Sequence, residues 1–202
     1  MKSDDILVAV AAVLFVLAGV WLLMSYSGVT GFATDTATVN VTITSTADIN
    51  FTTDNINFGT GTVDSGTAQA VLDTSQNSKT NGTTFTANSV GLLLRNIGNV
   101  NATIRLAGGS AATFIGGTSP AYKFNVSNTG TGAKAGSCVA NESATQGDWT
   151  DVNSTAPGSE ICSPLSNDAA ADTVRIDIQL TIPKDSKTGA LGDVLTATAT
   201  SV

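Results

Sequence analysis

Along Thr36–Thr52 the chain reads TATVNVTITSTADINFT, in which every odd position from Ala37 to Phe51 is apolar or small and every even position is Thr, Asn or Asp. Successive side chains of a β-strand face opposite ways, so this alternation predicts extended chain with one face in a core and the other in water. At about 3.3 Å per residue the run would span about 55 Å, well beyond the usual strand of about 5–6 residues. Either the chain bends near Ser45 and serves two sheets, or part of the run pairs with another molecule.

Downstream the period stays at two, and no segment after Phe32 shows a helical apolar stripe. The pattern predicts strands at Ile56–Phe58, Thr67–Leu72, Thr83–Ala87, Ser89–Asn96, Ala102–Leu106 and Tyr122–Val126. Two more follow at Thr173–Ile182 and Val194–Ser201. In Thr173–Ile182 the inward set is Val174, Ile176, Ile178, Leu180 and Ile182, and the outward set is Arg175, Asp177, Gln179 and Thr181. Asp73–Gly82 reads as loop by composition, and Asn128–Asn167 as a long surface excursion. About seven to nine short strands joined by Gly and Asn turns make an all-β chain, a single antiparallel β-sandwich over 34–202 with an N-terminal arm at 34–45.

The first 33 residues differ in kind. Ile6–Met24 carries no charge, and as a helix at about 1.5 Å per residue it covers about 28 Å, close to a bilayer's hydrocarbon thickness. Lys2 precedes it and no Lys or Arg follows until Lys79, a bias that puts the N-terminus in the cytoplasm and the bulk outside. Three fates are open for this hydrophobic helix. It is a secretory signal cut after Gly31-Phe32-Ala33, an uncut anchor with Trp21 and Tyr26 as interfacial aromatics, or a pilin-type helix kept in a filament core. Ser25–Ala33 is the one evident linker.

Composition narrows the function. The net charge of −7, with Lys and Arg thinly scattered, argues against nucleic acid as a partner. The chain has no histidine and no G-x-S-x-G elbow to activate its many Ser and Thr hydroxyls, so no catalytic constellation, cofactor or metal site is predicted. Asp148, Asp151, Glu160 and Asp168 are oxygen ligands of the kind Ca²⁺ takes, but without a calcium-loop spacing they read as solvated acidic surface. Cys138 and Cys162 are expected to form a disulfide in an exported chain, the alternative being two buried thiols. Trp149 reads as a cover for that cystine, with sugar stacking as the other role open to it. Asn-x-Ser/Thr sequons stand at Asn40, Asn50, Asn81, Asn101, Asn125, Asn141 and Asn153. Asn40, Asn50 and Asn125 fall on the polar parity of their strands and Asn81, Asn141 and Asn153 in loops, the exposure covalent glycans need.

Three stretches together, ADINFTTDNINFGTGTV, LLLRNIGNVNATIRL and IPKDSKTGALGDVLTATAT, resemble secreted β-sandwich fibre subunits of the TasA/camelysin type and the related archaeal bundling pilins. In that group a strand ends in Asn-x-Gly-Asn, here Asn96–Asn99, and the domain closes with a Pro-containing strand, a Gly turn and a Thr-rich strand, here Ile182–Thr200. The Cys138–Cys162 insertion is a departure from the pattern. The resemblance implies a homo-polymer built by donor-strand complementation, a form of β-augmentation in which an N-terminal arm completes a neighbour's sheet. Thr36–Thr44 would be that arm, with Val39, Val41 and Ile43 as pocket residues, and Thr46–Thr52 the subunit's own first strand. The expected function is a nonenzymatic structural subunit of a cell-surface filament or pilus, extracellular after export through the membrane. The alternative is a membrane-anchored adhesin or carbohydrate-binding module.

Overall fold

A computed structural model of the chain describes residues 3–26, 38, 40–88, 90–138 and 148–202, with the side chains of the N-terminal helix described from Val10 to Trp21. The chain divides into two compact units, Met1–Ile43 and Thr44–Val202. In the first, helix α1 runs over Ser3–Tyr26. Its described side chains are all apolar or Gly, and all but Gly19 face solvent. Among the described residues no helix is long and apolar enough to cross a membrane. The described side chains, Val10 to Trp21, cover about 18 Å of helix.

The second unit is mostly β, and its sheets are antiparallel. The strands are β1 (Ile49–Thr53), β2 (Gln69–Asp73), β3 (Ser78–Thr80), β4 (Leu92–Asn96), β5 (Ala102–Ala107), β6 (Ala121–Ser127), β7 (Thr150–Asp151), β8 (Ser159–Leu165), β9 (Thr173–Pro183) and β10 (Thr196–Ser201). A short helix, α2 (Ala111–Phe114), is capped by Ser110, whose hydroxyl accepts from Thr113 N. The larger sheet holds seven strands and the smaller holds β10, β5 and β8 in that order. β9 organises the larger sheet: Thr181–Arg175 pair with all of β6, while Thr173–Ile176 pair with β4 and Gln179–Pro183 with β2. β1 extends the sheet beyond β4, β3 beyond β2 and β7 beyond β6.

One core draws on both sheets. Leu72, Leu94, Phe124, Val126, Val174 and Ile176 come from the larger sheet, and Ile104, Leu106, Ile161 and Leu165 from the smaller. β5 and β6 bury alternate residues, which is the period visible in the sequence.

Several local expectations are corrected. Asn128–Asn167 is more than a surface excursion, because β8 lies within it and buries Ile161, Cys162 and Leu165. Two register irregularities against β5 put adjacent Ile161 and Cys162 both into the core, which erases the period-two signal. The Asp73–Gly82 stretch contains β3. There Asp73 Oδ1 accepts from Ser75 N and Oγ, and Asn77 takes a positive φ, turn chemistry that folds a polar segment back onto β2. Ile56–Phe58 and Thr83–Ala87 form no strand; Thr86 N donates to Phe58 O between them, and Ile56, Phe58 and Phe85 pack on the core. The inward set of β9 is correct through Leu180, but Arg175 and Asp177 do not face water, being 8% and 5% exposed.

The loop after β6 lies over that pair. Arg175 Nη1 donates to Thr131 O, and a Cβ on Gly132, whose φ is +87°, would stand 2.3 Å from Leu93 Cδ1. Beneath the loop, Arg175 Nη2 meets Asp177 Oδ1 at 2.7 Å and Thr74 Oγ1 donates to the same oxygen at 2.8 Å. A buried charge is tolerable only when paired and hydrogen-bonded, and this one is both. Further along, Lys134 Nζ (2.6 Å), Arg95 Nε (2.8 Å) and Thr173 Oγ1 (2.7 Å) converge on the buried Asp172 carboxylate. Burial pushes this carboxyl up, but the hydrogen bonds from Lys134, Thr173 and Arg95, with the Lys134 charge, outweigh it and hold Asp172 below its ordinary value. Cys138 and Cys162 form the expected disulfide, which joins the end of this loop to β8.

Two outcomes follow for stability. A group with a depressed folded pKa stabilises above its unfolded pKa, so the Asp172 contribution is complete at neutral pH, declines below about pH 4 and is lost as pH falls through the lowered folded value. Asp172→Asn is expected to cost about 1–3 kcal/mol at pH 7 and to flatten the acid limb, as read by urea unfolding at pH 7 and pH 3. Replacing both cysteines by serine is expected to cost about 3 kcal/mol in the same assay, through restored freedom of the unfolded chain.

Candidate functional site

The alternating run of Thr36–Thr52 is divided in the structure. From Ala47 onward its odd positions behave as a strand of this domain: Ala47, Ile49 and Phe51 are half-buried against the core, and Asp48, Asn50 and Thr52 are exposed. Upstream the same parity is uncovered, with Val41 81% and Ile43 80% exposed. Asn40, Thr42, Thr44, Ser45 and Thr46 are exposed too, and no described residue from 40 to 48 belongs to a strand. Val39 lies outside the described residues, as does the Gly31–Ala33 cleavage site.

What separates the two halves is a clasp made by Asn96–Asn99, the turn between β4 and β5. Asn96 is buried; its Nδ2 donates to Val100 O (2.9 Å) and Leu165 O (3.2 Å), and its Oδ1 accepts from Gly98 N (2.9 Å). This shapes the turn so that Ile97 N and Gly98 N donate to Asp48 O, continuing the β1–β4 ladder beyond its last pair, Ile49 and Asn96. Asn99 then holds the next residues with three bonds. Its Nδ2 donates to Thr44 O (2.8 Å), its Oδ1 accepts from Thr46 N (2.7 Å), and its own N donates to Thr46 O (3.1 Å). A side-chain amide thus stands in for a strand's backbone, giving acceptor and donor at once. Gly98 is required by closeness, since a Cβ there would lie 2.3 Å from Thr46 O. The hold ends at Thr44, where the second unit begins.

Open sheet edges are the other half of a strand-addition site. The β3 edge carries Lys79, whose Nζ is bound to Thr83 O and Phe85 O in the loop beside it. The β8 edge carries Glu160 and Pro164 and is bridged by Cys138 at Leu165, β7 has only two residues, and β1 is bulged between Phe51 and Thr53. β10 differs. Its TATATS is uncharged, free of Pro and paired without a register shift to β5 on one side. On its inner parity Leu195, Ala197 and Ala199 are only half-buried against the core.

The remaining candidates fall as follows. Asn40, Asn50, Asn81, Asn101 and Asn153 are exposed, Asn125 is half-buried on β6 between β9 and β7, and Asn141 lies outside the described residues. The four acidic residues are not brought together. Glu160 pairs with Arg105 at 3.1 Å, Asp151 lies 3.9 Å from Lys123, Asp168 Oδ1 accepts from Ala170 N, and Asp148 is exposed. Among the described residues no group of three or more His, Cys, Asp and Glu side chains is placed to hold a metal ion. Trp149 is half-buried just before β7.

No protein-family model matches this chain, and no curated protein or solved structure matches it.

The clasp can be tested directly. Asn99→Ala removes two neutral side-chain bonds and is expected to loosen Thr44–Asp48 by about 1–2 kcal/mol. Hydrogen exchange at Thr46 N should quicken accordingly while the amides of β9 keep their protection.

Proposed function

We propose that the chain is a structural subunit of an extracellular filament, and that it polymerises when the arm ahead of the clasp adds a strand to a second copy. The observation that carries this reading is the uncovered parity of Val41 and Ile43 immediately before a segment whose same parity packs on its own core. Burying two such side chains is worth about 1.5–3 kcal/mol each, and a backbone without strand partners gains ladder bonds as it docks. The unguarded β10 edge is the acceptor that best fits. An added strand there would lay Val41 and Ile43 beside the half-buried Leu195, Ala197 and Ala199, completing the second unit as a β-sandwich. The arm of one copy and the edge of the next are different surfaces, so the contact is head-to-tail and propagates unless the rotation closes. In this reading the apolar N-terminal helix directs export. The likeness to TasA/camelysin-type subunits supports the same mechanism from the sequence side.

Val41→Asp and Ile43→Asp are each expected to abolish fibres while leaving thermal unfolding of the soluble domain unchanged. Electron microscopy of the cell surface and of purified protein reads the outcome, and unaltered fibres from both variants overturn the donor-strand mechanism. The N-terminus of protein recovered from cells is expected at Thr34. A start near Met1 on a fibre-forming protein places assembly in the helix, and a Met1 start without fibres leaves the anchored adhesin.

A further inference from the structure

The sequons differ in how much of each tripeptide the fold leaves accessible. In Asn101-Ala102-Thr103 the middle residue is fully buried in β5, and Thr103 Oγ1 lies 3.0 Å from Ser163 Oγ of the neighbouring strand. In Asn125-Val126-Ser127 the middle residue is again fully buried, all three residues pair with β9, and Ser127 Oγ donates to Thr129 O. Asn50-Phe51-Thr52 is held in β1 with Phe51 against the core. Gly82 is buried in Asn81-Gly82-Thr83, and Thr83 Oγ1 donates to Asp64 Oδ1 at 2.8 Å. Among the described sequons of the second unit, Asn153-Ser154-Thr155 alone is exposed at all three positions and lies outside any strand, in the loop between β7 and β8.

That loop also presents the asparagine in a fixed way. Asn153 O accepts from Gly108 N (3.1 Å), which anchors its backbone at the end of β5. Thr155 N donates to Asn153 Oδ1 (2.9 Å), a local turn that occupies the amide oxygen and leaves Nδ2 as the group offered to solvent. From this we infer that Asn153 is the N-glycosylation site among the described sequons of the folded second unit. The step is a glycosyl transfer from a glycosyl phosphate or diphosphate donor. Nδ2 bonds to the anomeric carbon as that carbon's bond to the phosphate oxygen breaks, the phosphate leaves with the bonding pair, and Nδ2 gives up one proton to the transferase. The same accessibility rule selects Asn40-Val41-Thr42 in the first unit, exposed at all three positions.

Peptide mapping by mass spectrometry of the protein isolated from its own cells tests the inference. The peptide containing Asn153 is expected to carry a glycan mass that both Asn153→Gln and Thr155→Ala remove, while the Asn101 and Asn125 peptides have their unmodified masses. An unmodified Asn153 peptide, or sugar on Asn101 or Asn125, overturns it. Fibre formation by Asn153→Gln is expected to match the unaltered chain, so the glycan assignment and the filament reading fail separately.

Discussion

The second unit depends on one strand. β9 is 11 residues long, and it hydrogen-bonds along one side to β6 and along the other to β4 and then β2. Removing it would leave the larger sheet as separate pairs, because β1, β3 and β7 reach the sheet only through β4, β2 and β6. A strand flanked on both sides and covered on both faces cannot keep a solvated face. That is why Arg175 and Asp177, on the face away from the core, become a buried ion pair under the 128–134 loop. Thr74 closes the arrangement by donating to Asp177 from its hydroxyl while accepting Ile178 N, so both β9 and the end of β2 are tied to the same carboxylate. Ion pairs of this kind stabilise less than their Coulomb attraction suggests, since each charge is first stripped of water. Their effect here is to fix the position of the loop that leads to Cys138.

That loop couples the two sheets at the same end as the clasp, where Asn96 N donates to Asp172 O and Cys138 bridges the Leu165 that Asn96 holds. It leaves β6, crosses the outer face of β9 and β4, places Lys134 on Asp172, and delivers Cys138 to β8 of the smaller sheet. Asn96 performs a related service beside it, holding Leu165 O of β8 while shaping the turn from β4 into β5. The asparagine that prepares the clasp is therefore also a buried link between sheets. Gripping Thr44–Asp48 thus comes with joining β4 to β5: the turn that connects the sheets also supplies the bonds to this segment.

Much of this was legible in the alternation of residues, and what was not has identifiable causes. β5, β6 and β10 bury alternate residues, and their period of two survives in the sequence; so does the apolar parity of β9, although both of its faces are covered. β8 does not, because two register irregularities place Ile161 and Cys162 in the core side by side. β3 is hidden by composition, its Ser-Lys-Thr indistinguishable from loop until Asp73 and Asn77 are seen to turn the chain. The burial of Arg175 and Asp177 depends on a loop more than 40 residues upstream, information no local pattern holds. For the candidate site, the odd parity of Val41 and Ile43 was readable, whereas the place where self-packing stops was not. Packing stops at Ala47, and the hydrogen-bonded hold continues to Thr44 only because Asn99 reaches it across 55 residues. The physical role of Asn96–Asn99 likewise lies in contacts far along the chain, to Thr44, Thr46 and Leu165, that no local pattern announces.

The length of the alternating run bears on how strand addition could work. Ordering a residue's backbone costs about 1–2 kcal/mol, so fixing Asn40–Ile43 costs about 4–8 kcal/mol. Val41 and Ile43 return about 3–6 kcal/mol on full burial, and net ladder bonds add about 1 kcal/mol each at best. Two anchors leave the contact near balance, whereas a polymer needs a clear surplus at every junction. The sequence continues the pattern to Ala37 and Val39, and an arm of that length adds apolar anchors at the same cost per residue. Parity also decides what else the arm can carry. In a docked strand Val41 and Ile43 turn inward and Asn40 and Thr42 outward, so a sugar on Asn40 would stay in solvent while the apolar positions are covered. The same even positions continue through Asp48, Asn50 and Thr52, exposed in the part of the run that is already packed. One polar stripe thus runs through both halves, and in the proposed strand addition it would stay in solvent throughout.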